Sequence, residues 1–526
     1  MTPAAAHHQN PEKQLRLLLI LILCGAAVLR CYMVSLNMNI LLDQGLVQDD
    51  AFYYYVIARH ILEQSVSSFD GINLTNGFHP LWQAICLPVF YFWSGDTPVR
   101  VMLGIACVFD LLSLVFFYHI LSRVIKNPYV VLSGVAILAF HGTIIRTWFD
   151  GLETALSIFS LLWLLHQFLN IRLKNTSTLR DHLWLGLIAA FSFLARTDNA
   201  VVIVVLFSFL YLPDFFTHRE FKNGFFASGI LLILVSPWLA WNILHFGSIV
   251  QISGQIRDNT WLVNSVAEPR PFYLELFYGV WTSHTFIRIV FEKMFSPVFS
   301  VPLSGFFYLA LISFLIYLAK KTSPHFRNSL YALMPFITGV VLLYLYHAGV
   351  RHFVRGWYNA PVLLVFTMLI SLLLDVLVAH SKNDRGEKIM LFSSCLVLLI
   401  LFSPYYYTRS PDRITLDPRI AAAQWINDNT SPQVIIGAAN AGIMAYYTKR
   451  TLINLDGVVN EHAFHARLAN NLQQYVQQSH IDYLADHKGT LSYLCKTNLF
   501  YTCTRADNLE SATWIMQINP LAPTLN

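Results

Sequence analysis

The sequence predicts an α-helical polytopic membrane protein with about 11 membrane-spanning helices and a small C-terminal α/β domain outside the membrane. Three observations lead there. Of 526 residues, 56% are hydrophobic and only 12% are charged, with a mean hydropathy of +0.51. A soluble domain carries about 25% charged residues, so a water-soluble globule, a disordered chain and a coiled coil are excluded. Apolar stretches long enough to cross a bilayer recur as far as residue 408. Lys and Arg then concentrate in alternate loops, as the positive-inside rule requires. The net charge of +5 is small, and no basic block of the nucleic-acid-binding kind occurs.

The first apolar stretch, 17–36, follows Lys13 and Arg16 and carries no small-residue cleavage signal. It is expected to be an uncleaved anchor with its N-terminus in the cytoplasm. Further spans are expected at 98–121, 128–145, 152–170, 182–194, 200–213, 225–246, 301–319, 328–347, 360–379 and 389–407. The short pair 182–194 and 200–213 suggests half-spans dipping around Arg196 and Asp198. Arg123 and Lys126, then Arg172, Lys174 and Arg180, then Arg219 and Lys222 fall on the side of Lys13. So do Lys320, Lys321 and Arg327, and Lys382, Arg385 and Lys388. This places the C-terminus outside.

The segment 79–93 is apolar but short and holds Pro80 and Pro88. As a span it would reverse the loop charges, so it is read as a helix lying in the outer interface. The first outer loop is therefore long, about 38–97, and a second runs over about 247–300. The chain divides into a membrane module, 1–408, and an outer domain, 409–526. In the latter, 421–427 reads as a helix, and 433–438, 451–455 and 482–485 as strands. Cys495 and Cys503 both lie there; their spacing permits a disulfide without fixing one.

Candidate chemistry concentrates in the outer loops. Asp49 and Asp50 open a helical pattern in which Arg59 and Glu63 are spaced to pair. An Asp at a helix start ordinarily serves as its cap. Two adjacent carboxylates point about 100° apart, so one can cap while the other faces a cavity and acts as a general base. Asn76 and His79 lie in a turn-rich run that suits either a tight loop or sugar hydroxyls. Asp150 and Glu153 have the spacing of a capping box where the chain re-enters the membrane, and both are expected to face the same outer cavity. Arg196 and Asp198, between short apolar halves, are costly unless paired or used. Arg351, His352, Arg355, Trp357 and Tyr358 form a cationic and aromatic cluster on the side that disfavours cations. Such a cluster is either an interfacial belt or a phosphate site, for which Arg is the best-suited side chain.

These residues resemble the GT-C superfamily of integral membrane glycosyltransferases. The segments DDAFYYYVIARHI (49–61) and TNGFHPLW (75–82) look like the bacterial branch that includes the terminal arabinofuranosyltransferases of mycobacterial cell walls. GLETAL (151–156), LARTD (194–198), ANAGIMAYY (439–447) and INLDGVVN (453–460) resemble further elements of related members. The resemblance implies a multi-pass enzyme of the bacterial plasma (inner) membrane with its C-terminus in the periplasm. It implies inverting transfer of a sugar from a polyprenyl-phosphate donor to a cell-envelope glycan, lipid or protein acceptor. The first-loop acid would be the base, Asp49 favoured over Asp50 by motif position. Arg196, Arg351, His352 and Arg355 would meet the donor phosphate. Asp150, Glu153, Asn76, His79, Asp198 and Tyr358 would bind or support substrate. No Lys stands beside the first-loop motif as in the aminoarabinose transferases of lipid A.

No cofactor follows from the residues. Relatives acting on protein use a divalent cation between outer-loop carboxylates, for which Asp49, Asp150 and Glu153 are the candidates. No metal-motif spacing assigns it. The outer domain is expected to hold the acceptor or cover the cavity, with Asn440, Asp456 and Asn460 read as turn and cap residues. Two other classes stay open: a multispan transporter or flippase of lipid-linked saccharides, and an outer-face binding or assembly protein. Charges concentrated in outer loops, with no repeated halves, weigh against the transporter.

Overall fold

A computed structural model describes residues 11–174, 176–217, 221–256, 324–350, 355–379, 416–495, 500–507 and 512–520, with positions 273 and 509. The expected spans at 301–319 and 389–407 lie outside the described residues, as do Arg351, His352, Arg219, Lys320, Lys321, Lys382, Arg385 and Lys388, and nearly all of 257–300. Among the described residues, six helices are long and apolar enough to cross a membrane: Glu12–Ser35, Thr97–Val124, Thr154–Leu173, Lys222–Phe246, Pro324–Ala348 and Gly356–Ala379.

In chain order the helices are α1 (Pro11–Ser35), α2 (Met38–Asp43), α3 (Asp49–Gln64), α4 (Pro80–Phe92), α5 (Thr97–Val124), α6 (Pro128–Phe140) and α7 (Gly142–Trp148). Then come α8 (Thr154–Leu173), α9 (Leu179–Ala195), α10 (Ala200–Thr217), α11 (Phe221–Phe246), α12 (Ile252–Gln255), α13 (Pro324–Leu345) and α14 (Ala360–Ala379). The expected span 128–145 is broken: α6 ends at Phe140, His141 is extended, and α7 restarts the helix. α4 opens with Pro80 at its first turn, where the missing N–H costs nothing. α8 packs between α5 and α9, and α9 also lies along α11.

The charges are not confined to the loops. Arg30 in α1 and Asp110 in α5 meet inside the bundle, Nε to Oδ2 2.6 Å, with only 1% and 8% of their side chains exposed. The guanidinium also donates to the Ala139 carbonyl of α6 at 2.5 Å, so one cation ties three helices together. Removing one partner of such a pair strands a buried charge, at about 3–5 kcal/mol. Arg30→Ala is therefore expected to lower the thermal midpoint in detergent markedly. Arg30→Leu combined with Asp110→Leu should recover most of the loss; equal stability of the single variant and the native chain would show that the pair is idle.

Beyond residue 416 the chain forms a five-stranded sheet. Its strands are β1 (Ile435–Ala438), β2 (Thr451–Asn454), β3 (Tyr483–His487), β4 (Tyr501–Arg505) and β5 (Thr513–Pro520), ordered β2-β1-β3-β5-β4. β1 runs parallel to β2 and β3, while β5 is antiparallel to β3 and β4. β4 and β5 were not among the expected strands. Helices α15 (Pro418–Asn429), α16 (Gly442–Tyr447), α17 (Glu461–Leu468), α18 (Leu472–Gln478) and α19 (Lys488–Leu494) flank the sheet. Cys495 and Cys503 are bonded, with Cα atoms 5.7 Å apart.

This C-terminal part does not hang free of α3 and α4. Phe52, Tyr55, Trp82 and Phe90 share one apolar core with Ile420, Ile426, Ile443, Met444 and Tyr446. Arg59, expected to pair with Glu63, instead stacks 3.6 Å over the Tyr446 ring and donates to the Tyr446 carbonyl at 2.9 Å. Tyr446 and Tyr447 in turn donate to Gly95 O and Asp96 Oδ1. Two glycines permit the approach: a Cβ on Gly442 would collide with the Asp49 carbonyl oxygen, and one on Gly77 with that of Val458. Gly442→Ala must push the two segments apart, at about 1–3 kcal/mol. The expected result is a lower thermal midpoint and faster proteolysis of the C-terminal segment; an unchanged midpoint would show that the contact yields freely.

Candidate active site

The residues converge on one cavity of about 420 Å³, a size suited to a small ligand. Parts of the chain far apart in sequence build its wall, the stretch 249–256 among them. α3 supplies Asp50, Tyr53 and Tyr54; the loop ahead of α4 supplies Gly77 and His79; the turn ahead of α8 supplies Glu153. The turn between α9 and α10 supplies Arg196, Thr197 and Asp198, and the turn ahead of α14 supplies Arg355, Trp357 and Tyr358. The C-terminal segment adds Asp456 and Val458.

The adjacent acids of α3 have separate duties. Gln48, not Asp49, is the capping position of α3. The Asp49 carboxylate instead accepts from the backbone N–H of Gly442 (3.0 Å) and Ile443 (2.9 Å) at the start of α16. Arg419 lies 3.5 Å from it. One residue on, the side chain turns by about 100°, and Asp50 faces the cavity. No hydrogen bond to the Asp50 carboxylate is made among the described residues. Burial pushes its pKa up to about 7; Arg355 offsets part of that rise, and Asp49, Asp456 and Glu153 add to it. Asp49 is also raised by burial, against Arg419 and its two N–H donors. The motif-based preference for Asp49 thus falls on a carboxylate engaged in joining two segments, while Asp50 lines the cavity.

Asp150 and Glu153 divide similarly. Asp150 lies off the wall and accepts from Leu152 N (2.9 Å) and Thr154 Oγ1 (2.6 Å). Burial raises it to about 8. The capping position of α8 is Glu153 itself, so the expected capping box is not formed. The Glu153 side chain, 4% exposed, is a hub on the wall: Tyr54 Oη donates to it at 2.8 Å, Arg196 at 2.8 Å, and His79 Nε2 lies at 3.4 Å.

Arg196 is buried and shared, donating from Nε to Asp198 at 2.9 and 3.1 Å and from Nη1 to Glu153. Burial works against both charges. Arg196 nevertheless holds Asp198 well below the usual carboxylate range, helped by His347 at 2.8 Å, and the two acids hold Arg196 above its ordinary value. Tyr358 sits 4.7 Å from the Arg196 guanidinium and stacks on His347 at 4.3 Å. Arg355 is exposed on the cavity wall. Asn76 is fully buried off the wall, donating to Asn242 and accepting from Ile252 N, and so pins the loop ahead of α4 to the 242–252 stretch. His79 Nδ1 accepts from Thr197 N at 3.1 Å.

Asp49, Asp150 and Glu153 do not form a metal site, because their oxygens serve three different purposes. Among the described residues, no group of three His, Cys, Asp or Glu side chains is arranged to hold an ion. In the C-terminal segment, Asn460 caps α17 and Asn440 bonds Asp486, as turn and cap residues should. Asp456 keeps its turn duty, accepting from Val458 N at 2.8 Å, and in addition lines the cavity. Its only sequence signal is an Asp-Gly step after β2.

A long loop between α1 and α5, an apolar helical bundle and a C-terminal sheet meeting it at a shared cavity give this multi-pass membrane protein a GT-C-like fold. ArnT from Cupriavidus metallidurans bound to undecaprenyl phosphate matches 94% of this chain and 97% of its own, at 10% identity and a TM-score of 0.56. The oligosaccharyltransferase of Archaeoglobus fulgidus in the apo form matches 97% of this chain and 75% of its own, at 13% identity and a TM-score of 0.51. The same enzyme tethered to an acceptor peptide matches 96% and 74%, at 12% identity and 0.51. A family described as a domain of unknown function (DUF8728) matches residues 409–518. No curated protein matches the sequence.

Proposed function

We propose that this protein transfers a sugar from a polyprenyl-phosphate donor to a hydroxyl acceptor on the outer face of a bacterial plasma membrane, with inversion at the anomeric carbon. The observation that carries the reading is the Asp50 carboxylate, without a hydrogen-bonding partner among the described residues, on the wall of a cavity that also holds Arg196, Arg355 and Tyr358. Fold neighbours bound to undecaprenyl phosphate and to an acceptor peptide support a lipid-linked donor and a separate acceptor.

The residues suit each part of the reaction. An acceptor hydroxyl is a poor nucleophile until its proton is removed. Asp50 takes that proton as the hydroxyl oxygen bonds to the anomeric carbon; the bond from that carbon to the phosphate oxygen breaks on the opposite face. The departing lipid phosphate keeps the bonding electrons and needs cations rather than a proton. Arg355, exposed on the wall, supplies one cation, and Arg196, held by Glu153 and Asp198, a second. Tyr54 and His79 hold Glu153 in place from the far side. A base with a pKa near 7 is half ionised at that pH, so turnover should rise with pH through about 7 and fall below it.

The test is a proteoliposome assay with a membrane lipid extract as the donor source. A covalent glycosylated product with release of polyprenyl phosphate supports transfer. Movement of a saccharide across the bilayer with no covalent product would replace it with the transporter reading.

A further inference from the structure

We infer that Asp456 binds a second hydroxyl of the acceptor, next to the one that attacks, so that the cavity is built for a saccharide acceptor rather than an isolated alcohol. This rests on the transferase reading and adds the chemistry of the acceptor to it. Asp456 enters the wall from the C-terminal segment, whereas Asp50 enters from α3. Tyr53 stands between them, three residues after Asp50 on the same helical face.

The geometry leaves Asp456 a fixed orientation and part of its acceptor capacity, with the Asn454 amide also hydrogen-bonded to it and the Arg467 charge nearby. Asp456 Oδ1 accepts from Val458 N at 2.8 Å, and its Oδ2 lies 3.4 Å from the Tyr53 hydroxyl. Tyr53 has a nearer acceptor in the Ala439 carbonyl at 3.2 Å and receives Asn454 Nδ2 at 3.3 Å. The strand end 454–458 is therefore held from both sides, and Gly77 lets the Val458 carbonyl close against the first loop. A carboxylate offers about four acceptor sites and no donor when ionised. Two such groups on one wall call for a ligand with two donors: the attacking hydroxyl on Asp50 and a neighbouring hydroxyl on Asp456. A serine or threonine side chain presents one hydroxyl; a sugar ring presents adjacent ones. Burial raises Asp456 to about 6, which leaves it mainly ionised at neutral pH.

The experiment uses the full-length protein in proteoliposomes with membrane lipid extract as donor. The acceptor probes are methyl hexopyranosides and pentofuranosides, their monodeoxy analogues, and a serine-containing peptide. The native chain should glycosylate a saccharide probe and lose about tenfold or more in kcat/KM when one neighbouring hydroxyl is removed. Asp456→Ala should raise the acceptor KM by a similar factor, leave the donor KM in place, and no longer distinguish the deoxy analogue. Asp456→Asn, which keeps an acceptor oxygen and the same shape, should restore part of the loss. Equal discrimination by the native chain and Asp456→Ala, a loss confined to the donor KM, or transfer to the peptide and to no saccharide would each overturn this inference while leaving the transferase reading intact. Failure of the native chain to form any product from the extract or the probes would overturn the transferase reading itself. If neither variant folds, the deoxy series on the native chain decides alone: no loss for any analogue overturns the inference.

Discussion

Asp50→Asn should reduce sugar transfer by about 10²–10⁴-fold, the usual contribution of a positioned general base, while Asp49→Asn should keep most of it. The contrast is sharp because the two residues are adjacent and chemically identical. An amide in place of the Asp50 carboxylate keeps the shape of the wall but cannot take a proton. Donor binding should survive, so the loss should fall on kcat and on kcat/KM together. The rise in turnover through pH about 7 should vanish with it. Asp49→Asn keeps one acceptor oxygen for the N–H groups of Gly442 and Ile443 and should show up as reduced stability. The reverse pattern, with Asp49→Asn inactive and Asp50→Asn active at native stability, would move the base back to the residue favoured by motif position.

Arg355→Gln should cost about 10²–10³-fold in kcat, the scale set by losing one preorganised donor to a developing anion. Arg355 is the better probe of the two arginines. Removing Arg196 would strand Glu153 and Asp198, and the resulting collapse would mask any catalytic effect. Arg355 also acts on Asp50, whose ionisation it favours. Without it the carboxylate is harder to ionise, so the pH limb of the remaining activity should move upward. A donor-dependent loss with that shift supports a phosphate contact beside the base. Unchanged donor kinetics and an unmoved limb would assign Arg355 to the interfacial belt.

Much of this was legible in the chain. Mean hydropathy and the spacing of apolar runs mark α1, α5, α8, α11, α13 and α14, because a bilayer demands long apolar helices whatever their neighbours. The carboxylates and arginines flanking the apolar runs stand out because charge at the membrane is costly unless paired or used. What the chain hides is set by distant partners. Nothing near Asp49 reveals that its oxygens meet Gly442 and Ile443, so motif position alone cannot divide its role from that of Asp50. Glu153 reads locally as part of a cap and becomes a hub only when Arg196, His79 and Tyr54 arrive from three other elements. Asp456 reads as a turn residue because the Asp-Gly step fully accounts for it locally. Arg30 and Asp110 are each a lone charge in an apolar run until α1 and α5 pack.

The central claim is that the cavity around Asp50 carries out lipid-linked sugar transfer. Mass spectrometry of the lipid and glycan pools tests it most directly, in a deletion strain complemented with the native chain or with Asp50→Asn. The deletion strain should accumulate a polyprenyl-phosphate sugar and an acceptor short of one sugar residue; the native chain should restore both pools, and Asp50→Asn, present at equal level in the membrane, should restore neither. Full restoration of both pools by Asp50→Asn would contradict the account.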